Sequence, residues 1–258
     1  MKIVRFAASG KVRYGILSGQ SIQAIEGKPF GAIKPAFSHY QLDEVKLLSP
    51  CLPSKIVALG LNYQSHVEEF KNPTPLPEAP LIFIKPSTAV IGPEDNIVYP
   101  PSSTRVDYEC ELGVVIKKPA RFVSEEDALN YVLGYTCFND VTARDLQRKD
   151  GQWTRGKGFD TFAPVGPCIE TELDPGNVIL ETYLNGERKQ RGNTSDLIYS
   201  VPELISFISQ VMTLLPGDII ATGTPSGIGP MFPGDTVEIK IEPIGTLRNY
   251  VVKDGGRA

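Results

Sequence analysis

Short apolar or alternating runs, each closed by turn-forming residues, recur along the whole chain, and no other feature limits its fold so tightly. KIVRF, KVRYGIL and SIQAIEG fill much of the first fifty residues, separated by Ser-Gly and Gly-Gln. Period-two alternation between such breaks marks half-buried antiparallel strands. LIFIK, NIVY, YECELGVVI, VLGYTCF, NVILETYL, DIIATG and TVEIKIEPI carry the theme onward. Gly and Pro supply 24 and 22 of the 258 residues, above their usual joint share of about 12%. Pro-Gly-Asp at 216–218 and 233–235 and Pro-Gly-Asn at 175–177 each lead into a strand pattern. They are recurring turn chemistry rather than a repeat, because the flanking residues do not match. The expectation is a mostly β chain of the α+β class, a sandwich or closed roll with short helices packed outside.

Helix signals are few. Ser124-Glu125-Glu126-Asp127 opens ALNYVL with a cap residue and acids at the positive helix end. Ser200-Val201-Pro202-Glu203 is a capping box, followed by Leu204, Ile205, Ile208, Val211, Met212 and Leu215 at a period near 3.6. That stripe is read as a core face. A Pro-rich stretch, SPCLPSKI (Ser49 to Ile56), precedes the apolar run IVALGL. It divides the chain into a small β-rich module, residues 1–50, and a main body, residues 51–258.

Lys and Arg number 26 against 30 Asp and Glu, a formal charge of −4. That balance offers no basic footprint for nucleic acid and no polybasic attraction to a membrane. The apolar fraction of 41% is that of a globular chain. The opening MKIVRFAASGKVRYGIL is broken by Lys2, Arg5, Lys11 and Arg13, and no run of 18 apolar residues follows. Cys51, Cys110, Cys137 and Cys168 form no CxxC, so reduced, mostly buried thiols are expected. These readings place the chain in the cytoplasm.

Val106-Asp107-Tyr108-Glu109-Cys110-Glu111-Leu112-Gly113-Val114-Val115 is the most informative segment. In a strand, Glu109 and Glu111 share one face, roughly 6.6 Å apart along the chain, and can converge on one ion. The plain alternative is a solvent-facing edge with two acids. The apolar run after them argues for burial, and a buried carboxylate needs a counter-charge or a metal. Asp140 ends the strand-like YTCFND. Three carboxylates without nearby His or Cys make an all-oxygen site, suited to Mg²⁺, Mn²⁺ or Ca²⁺ rather than Zn²⁺. His66 and Glu69, three apart in NYQSHVEE, face one way if that segment is helical, as a water-activating dyad requires; an exposed His with an incidental acidic neighbour is the alternative. His39 has no such partner and is read as surface. Lys157, flanked by Gly156 and Gly158, sits where backbone can approach a ligand, or is a solvated loop lysine. The loop Thr222 to Gly229 lacks a P-loop ending, but its amides could cradle a carboxylate.

Taken together, Asn62-Tyr63-x-x-His66-x-x-Glu69, Asp107-Tyr108-Glu109-x-Glu111-Leu112, Asn139-Asp140-Val141-Thr142-Ala143-Arg144-Asp145, Trp153-x-x-x-Lys157 and Thr222-Gly223-Thr224-Pro225-x-Gly227 resemble the fumarylacetoacetate hydrolase family, in its order, over about residues 52 to 250. The resemblance is to single-core members of the bacterial and archaeal type. It implies a β-roll catalytic domain assembled as a homodimer, with Mg²⁺ or Mn²⁺ on Glu109, Glu111 and Asp140. His66 and Glu69 fall on the family's dyad, carried on a short lid. Lys157 falls on the lysine that stabilises developing negative charge, and Gln147 and Thr224 on positions that contact a 2-oxo-carboxylate. Related members include acylpyruvate hydrolases, oxaloacetate decarboxylases and 2-hydroxyhepta-2,4-diene-1,7-dioate isomerases. The leading expectation is C–C hydrolysis of a small β-diketo acid such as an acylpyruvate or fumarylpyruvate. Decarboxylation or isomerisation of oxaloacetate-like or unsaturated dicarboxylates is the alternative, and a non-catalytic ligand-binding protein the third reading.

Overall fold

The computed structural model of the chain describes residues 1–68 and 78–255. Its centre is a twelve-stranded sheet. From one margin the strands run Pro35–Gln41, Ser21–Ile25, Lys11–Ser18, Lys2–Ala8, Ala163–Glu170, Val132–Asn139, Cys110–Ile116, Ile219–Ala221, Ile56–Gly60 and Leu81–Lys85. Lys46–Leu48 and Val90–Ile91 pair beside this path. A three-stranded sheet (Thr142–Ala143, Val106–Tyr108, Gly229–Met231) and a five-stranded one (Glu187–Asn193, Ile179–Leu184, Thr236–Ile241, Gly245–Lys253, Asn96–Tyr99) complete the β architecture. The chain is mostly β with a few short helices, as its sequence leads one to expect.

Cys110–Ile116 lies between two apolar layers, and every residue in it is buried. Cys110, Leu112, Val114 and Ile116 enter the larger hydrophobic cluster with Leu204, Ile205 and Ile208. Val115, of opposite parity, packs with Ile56, Phe138, Ile219 and Ala221 on the other face. Burial of each such side chain stabilises the fold by about 1.5–3 kcal/mol. The acidic pair lies on the Val115 parity, at the start of this strand. The four cysteines are free and buried.

Within the described residues the sheet crosses the Pro-rich stretch after residue 50. Lys2–Ala8 pairs antiparallel with Ala163–Glu170 through Lys2↔Glu170 and Ile3↔Ile169. Val4, Phe6 and Ala8 share the cluster that holds Leu112 and Leu247.

Two helix expectations are corrected. The segment after Ser124 forms only a 3-10 turn, Ala128–Tyr131, and Val132–Asn139 is strand. Pairing with both Cys110–Ile116 and Ala163–Glu170 claims the backbone that a longer helix would have needed. The capping box does start a helix, Val201–Val211, with Ser200 and Glu203 in their expected roles. It ends at Met212, whose backbone is extended, so Val211 and Leu215 stay exposed and only the first half of the apolar stripe is core. No helix among the described residues is long and apolar enough to cross a membrane.

Candidate active site

Strand register brings the acids together. Cys110–Ile116 and Val132–Asn139 are antiparallel, with Cys110 opposite Asn139 and Glu111 opposite Phe138. One step beyond, Asp140 lies beside Glu109, its N–H donating to the Glu109 carbonyl at 2.9 Å. Glu109 itself fills the break between Val106–Tyr108 and Cys110–Ile116. Its own N–H donates to Asn139 Oδ1 at 3.0 Å, which holds it in that break. As a result, carboxylate oxygens of Glu109, Glu111 and Asp140 all lie within 4.8 Å of one another, buried.

Cations close around them from separate elements. Lys85 ends the Leu81–Lys85 strand and donates to Asp140 Oδ1 at 2.5 Å and to the Val141 carbonyl at 3.0 Å. Lys157 ends the short helix Thr154–Lys157 and reaches Glu109 Oε2 at 2.9 Å as well as Asp140 Oδ2. Arg144 opens the helix Arg144–Asp150, bonding Asp107 Oδ2 at 2.9 Å and Glu109 Oε1. Thr142 Oγ1 donates to Glu109 Oε1 at 3.1 Å. Gly156 lets the two helices meet, since a Cβ there would lie 2.9 Å from the Gln147 backbone nitrogen.

Glu111 stands apart. Its Oε2 accepts from the Gly223 N–H at 2.8 Å, while its buried Oε1 has no hydrogen-bond partner among the described residues. The Gly223 turn has a φ of +98°, a backbone state that favours glycine. Of the amides in the Thr222–Gly229 loop expected to cradle a carboxylate, that of Gly223 takes the chain's own Glu111. Burial pushes the Glu111 carboxyl well above the ordinary range, and the charges of Asp140 and Glu109 push it further. Burial acts the same way on Glu109, but the Lys157 and Arg144 charges outweigh it and hold that carboxyl below its usual range. Burial opposes the charge of Lys157 too, and Asp140 and Glu109 overcome it. Lys85 is lowered, burial outweighing its bond to Asp140.

This donor set fits a hard divalent cation. Three oxygen donors converge, and among the described residues one of them holds an orphaned buried oxygen and no His or Cys side chain joins the cluster.

A cleft of about 260 Å³ opens beside the acids. His66, Glu109, Gln147, Lys157 and Thr224 all line it, so most of the residues singled out in the sequence meet at one cleft. Glu111 and Asp140 join them through Glu109. Glu69 lies outside the described residues. His66 sits on the short helix Gln64–Glu68 and is 8% exposed. Gln147 accepts from Arg144 Nη1 at 2.7 Å, and Thr224 Oγ1 accepts from Gln190 Nε2 at 2.9 Å. Phe83 and Trp153, in edge contact, form an apolar wall. His39 is exposed, away from the cleft.

Three participants had been given no role from sequence. Lys85 left one signal, a lysine closing the apolar strand LIFIK. Arg144 and Asp107 stood inside the quoted motifs, but only the fold shows the bond between them.

The model of the fumarylacetoacetate (FAA) hydrolase C-terminal domain matches residues 55–252. The chain belongs to the fumarylacetoacetate hydrolase family. A second family model, the Rv2993c-like N-terminal domain, matches residues 1–50. Among relatives in this hydrolase family, the mitochondrial oxaloacetate tautomerase FAHD2B of Bos taurus is 44% identical over 222 residues, covering 81% of this chain and 70% of its own. Among solved structures, a 5-carboxymethyl-2-hydroxymuconate delta-isomerase from Mycobacterium smegmatis has a TM-score of 0.93 at 46% identity, covering 98% of this chain and 100% of that one. A maleylpyruvate hydrolase from Sphingobium sp. SYK-6, in complex with manganese(II) and pyruvate, has a TM-score of 0.80 at 32% identity, covering 98% and 99%. The chain is accordingly a fumarylacetoacetate hydrolase family enzyme.

Proposed function

We propose that this enzyme is a divalent-metal-dependent isomerase of small 2-oxo acids, moving a proton between keto and enol or between conjugated isomers. The convergence of Glu109, Glu111 and Asp140 within 4.8 Å, beside a cleft holding His66 and Lys157, carries the reading. Mg²⁺ or Mn²⁺, held by those carboxylates, would act as a Lewis acid toward the 2-oxo-carboxylate end of the substrate.

The rest belongs to the chain. Gln147 and Thr224 orient the substrate's carboxylate end from the cleft wall. Lys157, its charge favoured by Glu109 and Asp140, stabilises the negative charge that develops as the enolate forms. His66 takes the proton from carbon and returns it elsewhere, to the enol oxygen in a tautomerisation or to a second carbon in a conjugated isomerisation. Glu69 is assigned as its orienting partner. Leu59, Phe83 and Trp153 keep bulk water from the intermediate. The isomerase and tautomerase relatives, at 46% and 44% identity, favour this order of readings over the hydrolase at 32%.

Hydrolysis of an acylpyruvate or fumarylpyruvate is the second reading, favoured by the maleylpyruvate hydrolase likeness. There His66 and Glu69 deprotonate a water that attacks the distal carbonyl, and the same charge on Lys157 receives the leaving enolate. Residues 1–50 are assigned as an accessory module beside a catalytic domain spanning 51–258, and the enzyme as a cytoplasmic homodimer.

The deciding experiment offers enolic and ketonic oxaloacetate, acetylpyruvate and fumarylpyruvate with Mg²⁺ or Mn²⁺, and reads product mass together with the proton NMR spectrum, which registers an isomer of unchanged mass. Isomerisation conserves mass, decarboxylation loses carbon dioxide, and hydrolysis adds water to give pyruvate and a second acid. No change in any of them with either ion sinks both readings.

A further inference from the structure

Arg148 lines the same cleft as His66, Lys157 and Glu109, yet among the described residues belongs to none of the ion pairs around the acids. On the Arg144–Asp150 helix, positions three and four apart share a face, so Arg144, Gln147 and Arg148 are all presented to the cleft. Their engagement falls off along that face. Arg144 is 8% exposed and tied to Asp107 and Glu109. Gln147 is half-buried and bonded to Arg144. Arg148 is exposed and makes no hydrogen bond or ion pair with any described residue. Four residues of rise put its backbone roughly 6 Å further along the helix than that of Arg144. Among the described residues nothing else in the cleft wall answers its charge. Leu59, Leu61, Phe83, Trp153 and Ile228 are apolar, and Glu109, the carboxylate among the described lining residues, is already held by Lys157 and Arg144.

We propose that Arg148 binds the distal carboxylate of the substrate, making the enzyme selective for short dicarboxylic 2-oxo acids over those with an uncharged tail. This rests on the 2-oxo-acid reading above. A substrate whose oxo-carboxylate end lies at the acids, between Gln147 and Thr224, extends its tail along the Gln147–Arg148 face toward the mouth. A guanidinium fork meets a carboxylate through two parallel charge-assisted bonds. Against an apolar wall that pairing outweighs hydration of the ion more fully than it does in open water.

Calorimetry of 2-oxoglutarate and 2-oxobutyrate on the Mg²⁺-loaded protein tests the inference, because both probes carry the same oxo-carboxylate head and differ at the tail. Wild type should prefer 2-oxoglutarate by about 10- to 100-fold, the range for a hydrogen bond to a charged group. Arg148→Gln should bring the preference close to unity, and Arg148→Lys should restore part of it. A wild type that binds both acids equally, or a preference that survives Arg148→Gln, overturns the inference and leaves the 2-oxo-acid reading standing. Binding of neither acid overturns both.

Discussion

Glu111 is the side chain from which the behaviour of the site follows. Buried, with one oxygen unpartnered among the described residues, it holds a proton at pH values where a free carboxyl has lost it. A cation can bind only by displacing that proton. Affinity for Mg²⁺ should therefore rise with pH above the ordinary carboxylate value, with proton uptake by buffer as an ion enters; titrations in buffers of different ionisation heat would show it. Ion binding with no proton uptake by buffer at a pH just above the ordinary carboxylate value would refute the assignment. The same shift acts on stability with a definite sign. The folded state of the metal-free protein keeps a proton that the unfolded chain releases near 4.5. Its contribution is thus complete below that value and is lost as pH rises through the raised one. Glu109 runs the other way, contributing above its unfolded value and losing that contribution only in strong acid. Glu109→Gln with Asp140→Asn should abolish divalent-ion binding in calorimetry; undiminished binding would show that other groups hold the ion. His66→Ala should slow turnover by about 10²–10⁴, and an unchanged rate would remove the imidazole from the chemistry. The acids, the histidine and Lys157 were legible because each sat in a motif of matching residue types. Lys85 was not, because a lysine at a strand end is ordinarily solvated and only the packed fold buries its ammonium against Asp140.

At the scale of elements, the site depends on two short helices lying close enough for Lys157 and Arg144 to grip the same carboxylate. Gly156 is the point of approach, with Gln147 backbone where its Cβ would go. Gly156→Ala should push Thr154–Lys157 outward, destabilise the protein by about 1–3 kcal/mol, and cut kcat/KM at least tenfold, because Lys157 moves with the helix. Melting and steady-state kinetics together would test it; full activity with normal melting would mean the contact is slack. The strand runs were readable from alternation and turn residues. The helix anticipated after Ser124 failed because a propensity signal over six residues cannot compete with pairing on both sides of Val132–Asn139. The short helices at Arg144 and Thr154 gave no periodic signal, being too brief to show a full face.

Across the whole molecule, the first strands are edge-on continuations of the central sheet. Deleting residues 1–50 would remove the partner of Ala163–Glu170 at Ile169 and Glu170 and strip Val4, Phe6 and Ile22 from a shared core. Each lost apolar side chain is worth about 1.5–3 kcal/mol. The truncated chain should melt well below the full one or precipitate, while any soluble fraction still binds Mg²⁺, because every acid of the cluster lies in the remainder. An unaltered melting temperature would show the segment to be a passive appendage. Lys85, Lys157 and Arg144 carry a further consequence at this scale. The acids come with counterions built into the chain, so a divalent ion held there would be a guest and not a keystone. Stripping it with a chelator should leave a protein that waits, assembled, to be reloaded.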